Sequence, residues 1–133
     1  MVFIFWQSSL TAELSSQESN QIVLLLADLL HADVDVVSFC VRKGAHFTEY
    51  LVLGMCLWLT ARDVLARRLE RIARQVTPSF LVPWAIGAFY AVTDEIHQYF
   101  VPGRSCELRD MLIDTFGVAA GVLLCRLAAK RAR

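Results

Sequence analysis

Two stretches of the chain gather ionisable residues where their neighbours are apolar: "RKGAHFTEY", residues 42–50, and "DEIHQYFVPGRSCELRD", residues 94–110. At about 100° per helical residue, Lys43, His46, Glu49 and Tyr50 fall on one face. Asp94, His97 and Gln98 share a face of a second segment, with Glu95 at its border through the i+3 relation to Gln98. A third segment carries Asp110, Asp114, Gly117 and Gly121 in one narrow stripe that ends in GxxxG. Such a stripe admits a neighbouring helix closely. The chemistry on offer is acid and base catalysis by His46, Glu49, Asp94 and Glu95, together with ligand binding by Lys43, Tyr50, Gln98, Arg104, Asp110 and Asp114.

These residues need elements to hold them, and the composition says what kind. The chain has 133 residues, is 56% hydrophobic and has a mean hydropathy of +0.49, which places it above the usual soluble share and points to lipid. Three windows approach the roughly 20 residues that a bilayer requires: 44–61, 80–101 and 111–129. The expected fold is therefore all-α, a polytopic membrane helical bundle of three full spanning helices plus a truncated or partial N-terminal helix, in a single domain over residues 1–133. The opening "MVFIFWQSS" is too short to span and lacks the basic region of a signal peptide, so it reads as the partial helix or as an interfacial dip. "QIVLLLADLLHADVDVV" is apolar on one face and interrupted by Asp28, which suits an interfacial helix within an outer segment, residues 7–41.

Charge sets the orientation. Arg62, Arg67, Arg68, Arg71 and Arg74 fill a link over residues 62–78, and Arg126, Lys130, Arg131 and Arg133 lie at the end of the chain, so both regions are expected in the cytoplasm. Residues 7–41 hold Glu13, Glu18, Asp28, Asp33 and Asp35 and no Lys or Arg, and belong outside. The windows alternate without conflict, and residues 102–110 become an outer loop. Pro102 and Gly103 suit the middle of a type II turn. Arg42, Lys43, Arg104 and Arg109 sit on the outer side against the bias, so retention in the cytoplasm does not explain them.

An ionised side chain at a helix centre costs about 2.5 to 3.5 kcal/mol on insertion scales. Taken singly, Lys43 and Arg104 read equally well as snorkelling to headgroups, and Asp110 as a helix N-terminal anion. As a set, the groups all lie at one membrane level, and the expectation is a shared polar pocket opening outward between three helices. The arginines of the link are a solvated face, and Met55, Trp58 and Trp84 are lipid-facing or packing residues. A net charge of zero with no basic stripe excludes a nucleic-acid binder. Cys40, Cys56, Cys106 and Cys125 form no CxxC pattern, and no metal site or cofactor is expected. Cys40 and Cys106 fall in the outer segments near Lys43 and Arg104, where a disulfide across the pocket mouth is an open alternative. Cys56 and Cys125 read as buried thiols.

The patterns K-x-x-H-x-x-E-Y, D-E-x-x-Q-x-F-x-P-G-R and D-x-x-x-N-x-x-G, carried by "RKGAHFTEYLVLG" and "DEIHQYFVPGRSCELRDMLIDTFG", resemble the VanZ-like family of bacterial integral membrane proteins, named for a teicoplanin resistance protein. The likeness covers Arg42 to Gly121, and "FWQSSLTAELSSQESN" resembles the family's Ser-Ser-Gln segment after a first spanning helix. Asp114 stands where the pattern has Asn, and the first helix is incomplete. The resemblance implies a multi-pass protein of the bacterial cytoplasmic membrane with a cytoplasmic C-terminus, and resistance to glycopeptides of the teicoplanin type. It implies roles for Lys43, His46, Glu49, Tyr50, Asp94, Glu95, Gln98, Arg104 and Asp110. Expected partners are membrane lipids and a lipid-linked envelope precursor or glycopeptide, with oligomeric state open. Three activities stay in competition: binding an anionic envelope ligand, intramembrane catalysis with His46 or Glu49 as base and Arg104 stabilising negative charge, and transport.

Overall fold

The computed structural model describes residues 1, 4, 9, 12–68, 80–104 and 106–132, without the side chains of 12–19 and 65–68. Among them are four helices and no strand: α1 (Ala12–Leu30), α2 (Val34–Arg68), α3 (Leu81–Tyr99) and α4 (Leu108–Arg131). The fold is all-α. The sequence reading of the first nine residues rests mostly on positions outside the described ones, as does residues 69–79 of the arginine-rich link, with Arg71 and Arg74.

The apolar run read as one interfacial helix is divided at His31. That residue takes φ 49, His31 N–H donates to Asp28 O (3.3 Å), and Ala32 N–H donates to Ala27 O (3.1 Å). This pair of bonds is a Schellman closure, which satisfies the last carbonyls of α1. Asp33 then accepts from Asp35 N–H at 2.8 Å and opens α2. From Val34 nothing breaks the helix before Arg68, so the first expected window is only the middle of a 35-residue rod. At about 1.5 Å per residue that rod is roughly 50 Å long, against about 30 Å for a hydrocarbon core. Its ends therefore extend well past the apolar middle. Val23 and Ala27 of α1 pack on Val37 of α2.

Between α3 and α4 the chain reverses at Pro102 and Gly103. Gly103 has φ 78, and Arg104 N–H donates to Val101 O at 3.1 Å, which closes the type II turn expected there. The core is small and lies along the α2–α4 seam: Tyr50, Leu53, Trp58, Ala91, Val118 and Val122 are buried together. A Cβ on Gly117 would stand 2.6 Å from Phe47 O, and one on Gly121 would stand 2.9 Å from Met55 N with Leu51 O closer still. The GxxxG stripe thus lets α4 touch the backbone of α2. Gly54 answers from the α2 side, where Val118 O lies against it, and Gly87 of α3 receives the Val118 side chain, whose Cγ1 would be 2.5 Å from an added Cβ.

Of the three windows, α4 alone is long and apolar enough to cross a membrane by length and composition. That measure shows one of the three expected spans. The reason is local: α2 carries Arg42, Lys43, His46 and Glu49 in one half and Arg62 and Asp63 in the other, and α3 ends in Asp94, Glu95, His97 and Gln98. Only 28% of the apolar window of α4 is buried inside the protein, unlike the core helix of a soluble fold. Leu112, Phe116, Leu123, Leu124 and Leu127 are exposed on it, as are Leu81, Ile86 and Phe89 on α3 and Leu24, Leu25 and Leu29 on α1. Such an apolar exterior is what a membrane protein presents. Trp58 is in the core with Arg62 5.9 Å over its ring. Cys56, expected to be buried, is exposed on the outside of α2, while Cys125 packs partly against the core.

Candidate functional site

The polar residues of α2, α3, α4 and the 102–107 loop meet at one end of the bundle. Glu95 and Asp114 are fully buried, Asp94, Gln98 and Asp110 nearly so, and Tyr50 lies beneath them with no exposed surface.

The rim is built on Lys43. Its ammonium is held by both oxygens of Asp110, at 2.6 Å from Oδ2 and in closer contact with Oδ1. Glu107 Oε2 lies 3.8 Å from the same nitrogen, and Arg109 closes the outer edge with a 3.1 Å bond to that oxygen. Asp110 is in the first turn of α4, where an anion also meets the positive end of the helix. The Phe39 ring lies 5.4 Å from Lys43 Nζ and 5.0 Å from the Arg109 guanidinium. This contact reaches back to a residue that the sequence reading did not single out.

On the α3 side a chain of bonds runs from loop to helix. Arg104 Nη1 donates to Gln98 Oε1 at 2.9 Å, and Gln98 Nε2 donates to Asp94 Oδ2 at 3.1 Å. Burial, and the positive charge of Arg42 close by, hold the Arg104 guanidinium below its ordinary pKa. Replacing Gln98 by Leu withdraws the partner shared by Arg104 and Asp94. The expected cost is about 1 to 3 kcal/mol, read as a lowered melting temperature of the detergent-purified protein.

Beneath this lie groups whose hydrogen bonds are incomplete. His46 Nδ1 is 3.5 Å from Asp114 Oδ1, too long for a good hydrogen bond and an ion pair only when the imidazole carries a proton. Both Asp114 oxygens, Asp94 Oδ1, Glu95 Oε1, the Tyr50 hydroxyl and His46 Nδ1 are buried without a hydrogen-bond partner. Glu95 spends its other oxygen on the Glu107 N–H at 3.2 Å, which ties α3 to the start of α4. The charged neighbours of Glu49 are His46, Asp114, Asp94 and Arg104. Those of Tyr50 are Asp94 and Asp114. Glu49 also lines a cavity of about 260 Å³ with Met1, Ile4, Thr48, Val52 and Leu53.

Every candidate side chain named from the sequence is therefore in this assembly: Lys43, His46, Glu49 and Tyr50 from α2, Asp94, Glu95 and Gln98 from α3, Arg104 from the loop, Asp110 and Asp114 from α4. The assembly also includes Glu107, which the sequence reading passed over. Its part is played by a backbone N–H and a residue just before α4, and neither leaves a periodic signal. Cys40 and Cys106 are free and exposed. Among the described residues no group of three or more His, Cys, Asp or Glu is placed to hold a metal ion.

An all-helical chain with an apolar exterior and a charged cluster buried between its helices has the character of a membrane protein with an internal polar site. The VanZ/LLP1 family model matches residues 1–129, and the chain belongs to that family. No curated protein and no solved structure matches it.

Proposed function

We propose that α2, α3 and α4 cross the bacterial cytoplasmic membrane, that the C-terminus lies in the cytoplasm, and that the polar cluster faces the outer leaflet. There it binds the polar head of an envelope ligand, either a lipid-linked envelope precursor or a glycopeptide, and so protects the cell against glycopeptides of the teicoplanin type. The observation that carries this reading is the set of buried polar atoms left without partners on Tyr50, Asp94, Glu95 and Asp114. Native proteins satisfy nearly all such atoms, and a group of them calls for something not in the chain. In this reading Lys43 and Asp110 brace the rim. Arg104 offers its guanidinium to phosphate or carboxylate in exchange for Gln98. A susceptibility assay across glycopeptides tests it: Glu49→Gln lowers the protection conferred by the native chain about tenfold, the change that 1.4 kcal/mol of lost affinity produces. Unchanged protection, or none from the native chain, refutes it.

The His46 and Asp114 contact favours a second reading, in which His46 or Glu49 acts as a base on a lipid-linked substrate, with Asp94 and Glu95 as further acid-base groups and Arg104 stabilising negative charge. Envelope lipid profiles separate the two readings. A species that accumulates in Glu49→Gln cells supports catalysis, and a profile that stays fixed while susceptibility moves supports binding.

A further inference from the structure

Most of the unpartnered atoms at the bottom of the site are carboxylate oxygens, with the Tyr50 hydroxyl and His46 Nδ1 beside them. Asp114 offers both carboxylate oxygens, Asp94 offers Oδ1 and Glu95 offers Oε1. Asp114 and Glu95 have no exposed surface and Asp94 has 3%. Ionised carboxylates only accept hydrogen bonds, so what these atoms lack is a donor. Of the basic groups around the site, Lys43 is held by Asp110, Arg104 donates to Gln98, and His46 Nδ1 comes no nearer than 3.5 Å to Asp114 Oδ1. An anion brought to this depth would add acceptors to acceptors and like charge to like charge.

We propose that the floor of the site takes an ammonium group, the cationic head of an amphiphile, with Asp114 and Asp94 as its carboxylate partners and the Tyr50 hydroxyl beside them. This rests on the reading above that the cluster is a ligand site, and it names the chemistry of the part of the ligand that goes deepest. The route in is marked by Glu49. That carboxylate lines the cavity of about 260 Å³, whose other walls are largely apolar, and it has Asp94 and Asp114 among its charged neighbours. A head entering from the cavity meets Glu49 first and the buried pair next, and its tail stays against Ile4, Val52 and Leu53. Any phosphate or carboxylate on the same ligand remains at Arg104.

The test uses three probes with one dodecyl tail and different heads: dodecylammonium, dodecyl maltoside and dodecyl phosphate. Each is titrated against the full chain in phosphatidylglycerol nanodiscs. Asp114→Asn weakens dodecylammonium binding at least about tenfold, equivalent to about 1.4 kcal/mol. Glu49→Gln, a change of nearly equal volume at the half-buried entrance, weakens it in the same direction. Dodecyl phosphate depends on Arg104 and is indifferent to Asp114→Asn. Dodecylammonium binding that is equal in native and Asp114→Asn chains overturns the ammonium floor. So does a phosphate or maltoside affinity that falls with Asp114→Asn in its place, and both results leave the ligand-site reading standing. If Asp114→Asn, Glu49→Gln and Arg104→Ala leave all three probes unmoved, both readings fall together.

Discussion

Gly121→Leu yields no folded protein. The side chain has nowhere to go: even its first carbon would lie 2.9 Å from Met55 N and nearer still to Leu51 O, and both belong to helix backbone that cannot rotate aside. To admit it, α4 would have to move away from α2 along the seam that also buries Tyr50, Val118 and Val122. Overpacking a core by extra methylenes costs about 1 to 3 kcal/mol when side chains can yield. Here the obstacle is main chain, and the loss expected is at or beyond the top of that range, a large part of the 5 to 15 kcal/mol that typically holds a domain together. Size-exclusion chromatography after mild detergent extraction reads the outcome, with native chain eluting as a discrete species and Gly121→Leu aggregating or being degraded. Gly44→Leu is the control. Nothing lies within 4 Å of a Cβ there, and the variant elutes like the native chain.

Lys43→Met costs about 3 to 5 kcal/mol, the range for removing one partner of a buried ion pair. The loss comes from what remains. Asp110 stays nearly buried, with its carboxylate facing an apolar side chain and Glu107 close by. The companion variant Lys43→Met/Asp110→Leu removes the stranded charge and recovers most of the stability, because an apolar pair of similar volume replaces an ion pair at little net cost. The difference between the double variant and the sum of the two single ones, measured by chemical unfolding in mixed micelles, gives the coupling directly. Additive losses would mean that the two side chains do not meet.

Both predictions draw on features that differ in how openly the sequence displays them. The polar cluster was legible because a bilayer makes ionisable residues conspicuous. Lys43, His46 and Glu49 follow helical spacing inside an apolar run, and Asp110 and Asp114 continue it on another helix, so a shared destination is their cheapest arrangement. The reversal at Pro102 and Gly103 was legible for a different reason, since ring closure and the absence of a Cβ confine the backbone locally. Gly117 and Gly121 announced a close approach as a pair, but Gly54, their counterpart on α2, stands alone in its sequence and gave no such sign. The break at His31 was hidden because histidine seldom takes a positive φ, and a run of apolar residues continues on both sides of it. Pairing within the cluster was equally hidden. Helical periodicity places Lys43 on a face, and only the crossing of α2 over α4 decides that Asp110 meets it.

How many helices cross the membrane was the hardest to read, for a physical reason. A span shows itself as uninterrupted apolar length, and the residues that build the site are those that interrupt it on α2 and α3. Among the described residues only α4, with its acids confined to its first two turns, keeps an apolar stretch long enough to cross.

Cys106 provides the most direct measurement. It is exposed, two residues past Arg104 and next to Glu107, whose N–H is bonded to Glu95, so the side of the membrane on which it lies is the side on which the site lies. In a chain carrying Cys40→Ser, Cys56→Ser and Cys125→Ser, a membrane-impermeant maleimide applied to intact cells should modify Cys106 as completely as it does after permeabilisation. Labelling that occurs only once the membrane is opened would place the cluster on the cytoplasmic side and contradict an outward-facing site.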